Sequence, residues 1–189
     1  MSVPRERLVP TPAQTVGPFF AYALPFPGDD RLVVPGRSDA IRLHGSVLDG
    51  AGGGVPDALL ELWQATPDGK VPQESGSLHR DDWTFTGWGR ASTDDTGRYS
   101  FTTLRPGATE PGAAPFFLLT VFARGLMNRL FTRIYLPGDA TALEADGLLS
   151  SIPADRRATL IALAEPTGYR FDVRLQGESE TVFLSYRGQ

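Results

Sequence analysis

Glycine and proline interrupt this chain at about one residue in five, with Gly 21 and Pro 16 among 189 positions, where ordinary globular usage is ~12% for the pair. A proline removes a backbone donor and fixes φ, and a glycine inside a helix costs about 1 kcal/mol relative to alanine. Punctuation this dense leaves room for short strands and tight turns but argues against long helices. The hydrophobic content of 41% remains that of a globular protein, and the length suits one domain with a substantial core.

Residues 1–35 show no helical or strand period and carry seven prolines together with Phe19, Phe20 and Tyr22. They are expected to form an extended arm, because proline cannot donate to a central ladder. The arm's aromatic residues should pack either on the chain's own domain or on a partner. From residue 36 onward a single domain is expected. Ile41, Leu43, Gly45 and Val47 alternate with Arg42, His44, Ser46 and Leu48, the period of a half-buried strand. A turn over Asp49–Gly54 and a second strand over Ala58–Ala65 follow, then a polar loop over residues 66–82. Further strands are expected at Phe85–Ala91, Arg98–Leu104, Pro115–Arg124, Arg129–Leu136, Tyr169–Gln176 and Thr181–Tyr186. One helix is expected near Ala154–Leu163, with Ser151 as its cap, Pro153 in its first turn, Asp155 at the positive dipole end, and Pro166 and Gly168 beyond it. Short strands between Gly/Pro turns indicate an all-β chain, an antiparallel β-sandwich or barrel with one late helix.

The chain's catalytic equipment is sparse. Cys 0 excludes disulfides and thiolate chemistry, and His 2 removes most of the usual metal ligands and general bases. A net charge of −4 gives no electrostatic footprint for nucleic acid. No apolar run reaches the ~18 residues of a membrane span and no secretory leader is evident, so a cytoplasmic protein is expected. His44 lies on a strand and His79 in a loop, without the spacing of a metal pair. The Ser77, His79 and Asp81 grouping is local to one loop, and Gly50–Gly54 lacks the Lys-Ser/Thr of a phosphate loop. Trp63, Trp83 and Trp88 are expected in the core or on a sheet face. Arg133 has two readings. It stands between Phe131 and Tyr135 and could clamp an anion with its planar fork, or it is a surface arginine whose stem covers those rings.

Five stretches, TPAQTVGPFF (Thr11–Phe20), IRLHGSVLDGAGGGVPDALLELWQATPDGK (Ile41–Lys70), GRYSFTTLRPG (Gly97–Gly107), FARGLMNRLFTRIYLPGD (Phe122–Asp139) and YRFDVRLQGESETVFLSY (Tyr169–Tyr186), resemble the intradiol ring-cleavage dioxygenases. The last two are similar to the α-type chain of the family's two-chain members. The resemblance implies a β-sandwich and an oxidoreductase of αβ protomers in a larger symmetric oligomer. It implies opening of the ring of protocatechuate by O₂ to give 3-carboxy-cis,cis-muconate. The cofactor implied is Fe(III), held in catalytic members by two tyrosines and an H-x-H strand. In this chain the matching positions read Val71, Leu118 and Thr120, and residues 108–114 supply no tyrosine. The resemblance therefore implies an iron-free chain whose homologous β partner carries the metal. It also implies that Thr15, Gly17, Pro18 and Arg133 line a substrate pocket at the αβ interface, which favours the anion-clamp reading of Arg133. The competing expectation is a β-sandwich binding or structural module with no enzymatic role.

Overall fold

The alternation that begins at Ile41 becomes strand β1 (Ile41–Leu48), with Leu43, Gly45 and Val47 buried and their neighbours less so. The computed structural model describes residues 11–74 and 80–186. It places β2 at Leu59–Gln64, β3 at Trp88–Ser92, β4 at Arg98–Thr103, β5 at Phe116–Phe122 and β6 at Leu130–Tyr135. Three short strands follow: β7 at Leu163–Glu165, β8 at Gly168–Arg170 and β9 at Val173–Arg174. They build two sheets, one ordered β4-β1-β8-β7 with β9 also on β1, the other β3-β2-β5-β6. Leu43, Val47 and Phe101 from the first sheet meet Leu60, Leu62, Phe117, Leu119, Val121 and Ile134 from the second. Apolar burial at about 25 cal/mol per Å² is what holds the two layers together. The expected β-sandwich is the fold that forms.

Two details of the first sheet depart from expectation. The segment Tyr169–Gln176 pairs with β1 in parallel, whereas the pairing of β1 with β4 is antiparallel. Its alternation is right for burial, yet it divides into β8 and β9 at Phe171 and Asp172, with the register along β1 kept across the break. There the Tyr99 hydroxyl donates to the Phe171 carbonyl at 2.7 Å, and the Asp172 carboxylate accepts from the Ser46 N–H at 3.0 Å. Gly45 makes this close approach possible, since a Cβ there would lie 1.8 Å from the Phe171 carbonyl oxygen. Thr181–Tyr186 forms no strand, and only Leu184 bridges to Phe131.

The helices also differ from the single one expected. Helix α1 (Phe20–Ala23) lies in the arm, and α2 (Ala140–Ala145) and α3 (Gly147–Ser151) follow β6. Asp139 and Asp146 cap α2 and α3, each accepting from backbone N–H groups in the first turn. The expected helix at Ala154–Leu163 is one turn, α4 (Ala154–Arg157), that tightens to 3₁₀ over Ala158–Leu160, and Leu163 already belongs to β7. Ser151 does not cap it; its hydroxyl donates to the Leu148 carbonyl instead. Tyr135, Leu149, Ile152 and Leu160 form a second apolar cluster under these helices.

The arm crosses the outer side of the β3-β2-β5-β6 sheet. The Phe20 ring sits 5.4 Å from that of Phe122, and the Ala21 carbonyl accepts from the Ser92 hydroxyl. Residues 29–32 then bond to β3 and β4 through Asp29, Asp30 and Leu32. Phe20 is thus partly covered by the chain itself, while Phe19 and Tyr22 stay 77% and 74% exposed. Among the described residues, no helix is long and apolar enough to cross a membrane.

Candidate functional site

Strand register decides which side chains share a face. Across the second sheet Trp88 stands opposite Trp63, Trp63 opposite Leu118, and Leu118 opposite Arg133. The next row reads Arg90, Glu61, Thr120 and Phe131. All eight side chains belong to the outer face, away from the sandwich core. The structure therefore assembles Leu118, Thr120 and Arg133 into one patch, which sequence spacing alone could only suggest.

The Arg133 guanidinium lies over the Phe116 ring, 3.8 Å from its centroid. Its Nη1 donates to the Tyr135 hydroxyl at 3.3 Å. Its Nε is buried, and among the described residues neither Nε nor Nη2 meets an acceptor. The Nε–Nη2 edge is the one that Arg90 uses on Glu61 and Arg37 uses on Asp39 elsewhere in this molecule. Arg133 thus presents an unpaired fork of the kind that matches a carboxylate. Phe116, from the neighbouring strand, carries the stacking, not Phe131. Phe131 instead meets Tyr186 edge-on, with Arg129 over its ring.

Tyr135 behaves differently from its alternation. It falls on the outer side of β6 yet is fully buried, because α3 lies over it. Its hydroxyl donates to Asp146 Oδ1 at 3.0 Å. Burial pushes the phenol up to about 12, with the Arg133 guanidinium pulling the other way. Asp146 in turn accepts from the Leu148, Leu149 and Ala114 backbone N–H groups. Sequence reasoning missed Asp146, although an Asp ahead of Gly-Leu-Leu is a helix-start signal.

The positions that match the family's two tyrosines and two histidines supply neither a phenol nor an imidazole. Leu118 offers only hydrocarbon, Val71 is a hydrocarbon side chain at 63% exposure, and residues 108–114 contain no phenol. Among the described residues no three of His, Cys, Asp and Glu gather as ligands. The residues present do not fit the metal. His44 lies on the other sheet, its Nε2 3.3 Å from a Glu165 carboxylate oxygen. Ser77 and His79 are outside the described residues. Of the tryptophans, Trp88 is buried and Trp63 is on the sheet face, but Trp83 is 90% exposed and belongs to neither core nor sheet.

Thr15, Gly17 and Pro18 form a second group. The Thr15 hydroxyl accepts from the Gly125 N–H at 2.8 Å, which fastens the arm to the turn between β5 and β6. The Gly17 carbonyl accepts from Phe20 N–H, and a Cβ at Gly17 would meet nothing within 4 Å. Arg133 stands opposite Leu118, four residues back along β5 from Phe122, or roughly 13 Å at the rise of a strand. Within this chain the two groups do not touch.

A family model described as dioxygenase matches residues 35–177. The protocatechuate 3,4-dioxygenase alpha chain of Burkholderia cepacia is 38% identical over 191 residues, covering 92% of this chain and 96% of that one. The beta chain of the same enzyme and organism is 34% identical over 173 residues, covering 82% of this chain and 68% of that one. Among solved structures, the dioxygenase domain of a dioxygenase carbohydrate-binding protein fusion from Streptomyces sp. SirexAA-E superposes with a TM-score of 0.55 at 23% identity, covering 90% of this chain and all of that one. At that identity the superposition speaks for the fold alone.

Proposed function

From the premise that the chain belongs to the intradiol dioxygenase family, we propose that it is the iron-free α-type subunit of a protocatechuate 3,4-dioxygenase, working with a homologous β chain that holds the ferric iron. One observation carries this reading. The outer sheet face has Leu118 and Thr120 where a catalytic relative needs histidines, and beside them an arginine with an unpaired carboxylate-binding edge. Protocatechuate is a catechol that bears a carboxylate, and a carboxylate leaving water needs a cation and donors. Arg133 supplies both at its Nε–Nη2 edge, and Phe116 fixes the plane in which they point. Thr15, Gly17 and Pro18 border the same outer side at the β5–β6 turn and complete the chain's contribution to a shared pocket. The chain's own work is binding and orientation, and the partner contributes the metal.

Expression of the chain alone and together with its β partner tests this directly. Iron analysis and oxygen uptake with protocatechuate should find metal and activity only in the joint preparation. Stoichiometric iron in the chain alone, or ring cleavage by it, would overturn the reading. Full activity of the β chain without this one would reduce the α chain to a structural module.

A further inference from the structure

We infer that Tyr135 and Asp146 are positioning residues for the Arg133 fork, holding one edge of the guanidinium so that the other stays free for the substrate carboxylate. The inference rests on the reading of Arg133 given above and extends it to two residues that do not touch the substrate. A flexible arginine on an open sheet face would lose side-chain freedom on binding, a cost of up to about 2 kcal/mol. Here that freedom is already restricted in two ways. Phe116 takes one face of the guanidinium at 3.8 Å, and the Tyr135 hydroxyl takes Nη1 at 3.3 Å.

The direction of the hydrogen bonds makes this hold specific. A phenol has one proton and lone pairs to accept with. Asp146 Oδ1 takes the Tyr135 proton at 3.0 Å, so the phenol oxygen turns its lone pairs to Arg133. Burial keeps that proton on the phenol through the physiological range. Asp146 is itself fixed by the N–H groups of Leu148 and Leu149 at the start of α3 and by Ala114 N–H. A relay of three side chains therefore runs from a capped helix to the unpaired edge of Arg133. Its orientation selects which edge is occupied: Nη1 is taken, and Nε and Nη2 are left for the ligand. Arg90 on the same sheet shows the contrary arrangement, its fork closed on Glu61.

The test uses the assembled αβ enzyme and two substrates, protocatechuate and catechol, the second lacking the carboxylate. Tyr135→Phe removes only the hydroxyl. It should raise KM for protocatechuate by about two- to tenfold, the range of one net hydrogen bond, with kcat within about twofold and catechol kinetics unaltered. Asp146→Asn keeps an acceptor for the helix and should shift KM in the same sense by less. Combined with Arg133→Ala, Tyr135→Phe should add nothing further, since both act through one contact. An unchanged KM in assembled Tyr135→Phe enzyme, or an equal loss on both substrates, overturns the positioning role. If Arg133→Ala fails to discriminate protocatechuate from catechol, the carboxylate reading itself falls, and the inference with it.

Discussion

Two arginines on one sheet face have opposite fates. Arg90, in the β2–β3 half, stacks 5.0 Å from the Trp88 ring centroid, binds Glu61 through Nε and Nη2, and gives Nη1 to the Leu24 carbonyl. Arg133, in the β5–β6 half, also stacks on an aromatic ring and also spends Nη1 locally, but its fork is unpaired. The difference lies in the register partner. Glu61 stands opposite Arg90, and Leu118 stands opposite Arg133. Where the neighbouring strand supplies a carboxylate, the arginine ties down the arm and the sheet. Where it supplies a leucine, the fork has no partner within the described residues.

The largest effect should come from breaking the closed pair. Glu61→Ala leaves Arg90 half-buried without its partner, and the loss should be about 2–3 kcal/mol of stability, below the range for fully buried pairs. Thermal unfolding should register this as a Tm lower by roughly 4–12 °C, with kcat/KM of the assembled enzyme little changed. The open pair should respond in the opposite currency. Arg133→Ala should lower kcat/KM for protocatechuate about tenfold to over a hundredfold, the worth of a charge-assisted bond, and leave assembly intact. Kinetics indistinguishable from wild type would make Arg133 a surface residue.

A third substitution turns one half into the other. Leu118→Glu places a carboxylate opposite Arg133 in the same register that Glu61 has with Arg90. It should close the fork from within and lower kcat/KM about tenfold, with stability within about 1 kcal/mol of wild type, because a cross-strand charge pair is worth about 0.2–1 kcal/mol. An active Leu118→Glu enzyme would show that the fork is not the substrate's site. The smallest change is Arg133→Lys, which keeps the charge but loses the bidentate edge. A rise in KM of about threefold to fivefold is expected from steady-state oxygen uptake.

The sequence makes the strands legible where one face is core and the other is water. Leu43, Val47 and Phe101 announce themselves by alternation, and the structure buries each. The same rule misplaces Tyr135, because what covers it is α3, an element that arrives later in the chain. It also reads Tyr169–Gln176 as one strand, since alternation reports burial and is blind to the Phe171 carbonyl turning toward Tyr99. Arg133 is visible as a residue of interest from its aromatic neighbours in β6. The unpaired state of its fork is a fact about β5, written in the identity of Leu118.

Strand β1 has a further consequence for how the chain reaches this fold. Its residues 41–48 are flanked on one side by β4 and on the other by β8 and β9, whose residues lie more than a hundred positions away. Loop-closure entropy makes such distant pairings slow to form. During synthesis, β1 with β4 and the whole β3-β2-β5-β6 sheet can assemble first. The flank of β1 that awaits β8 and β9 stays an open edge until residues 169–174 have emerged. That edge is the place where an incomplete or slowly folding chain is most prone to pair with the wrong neighbour.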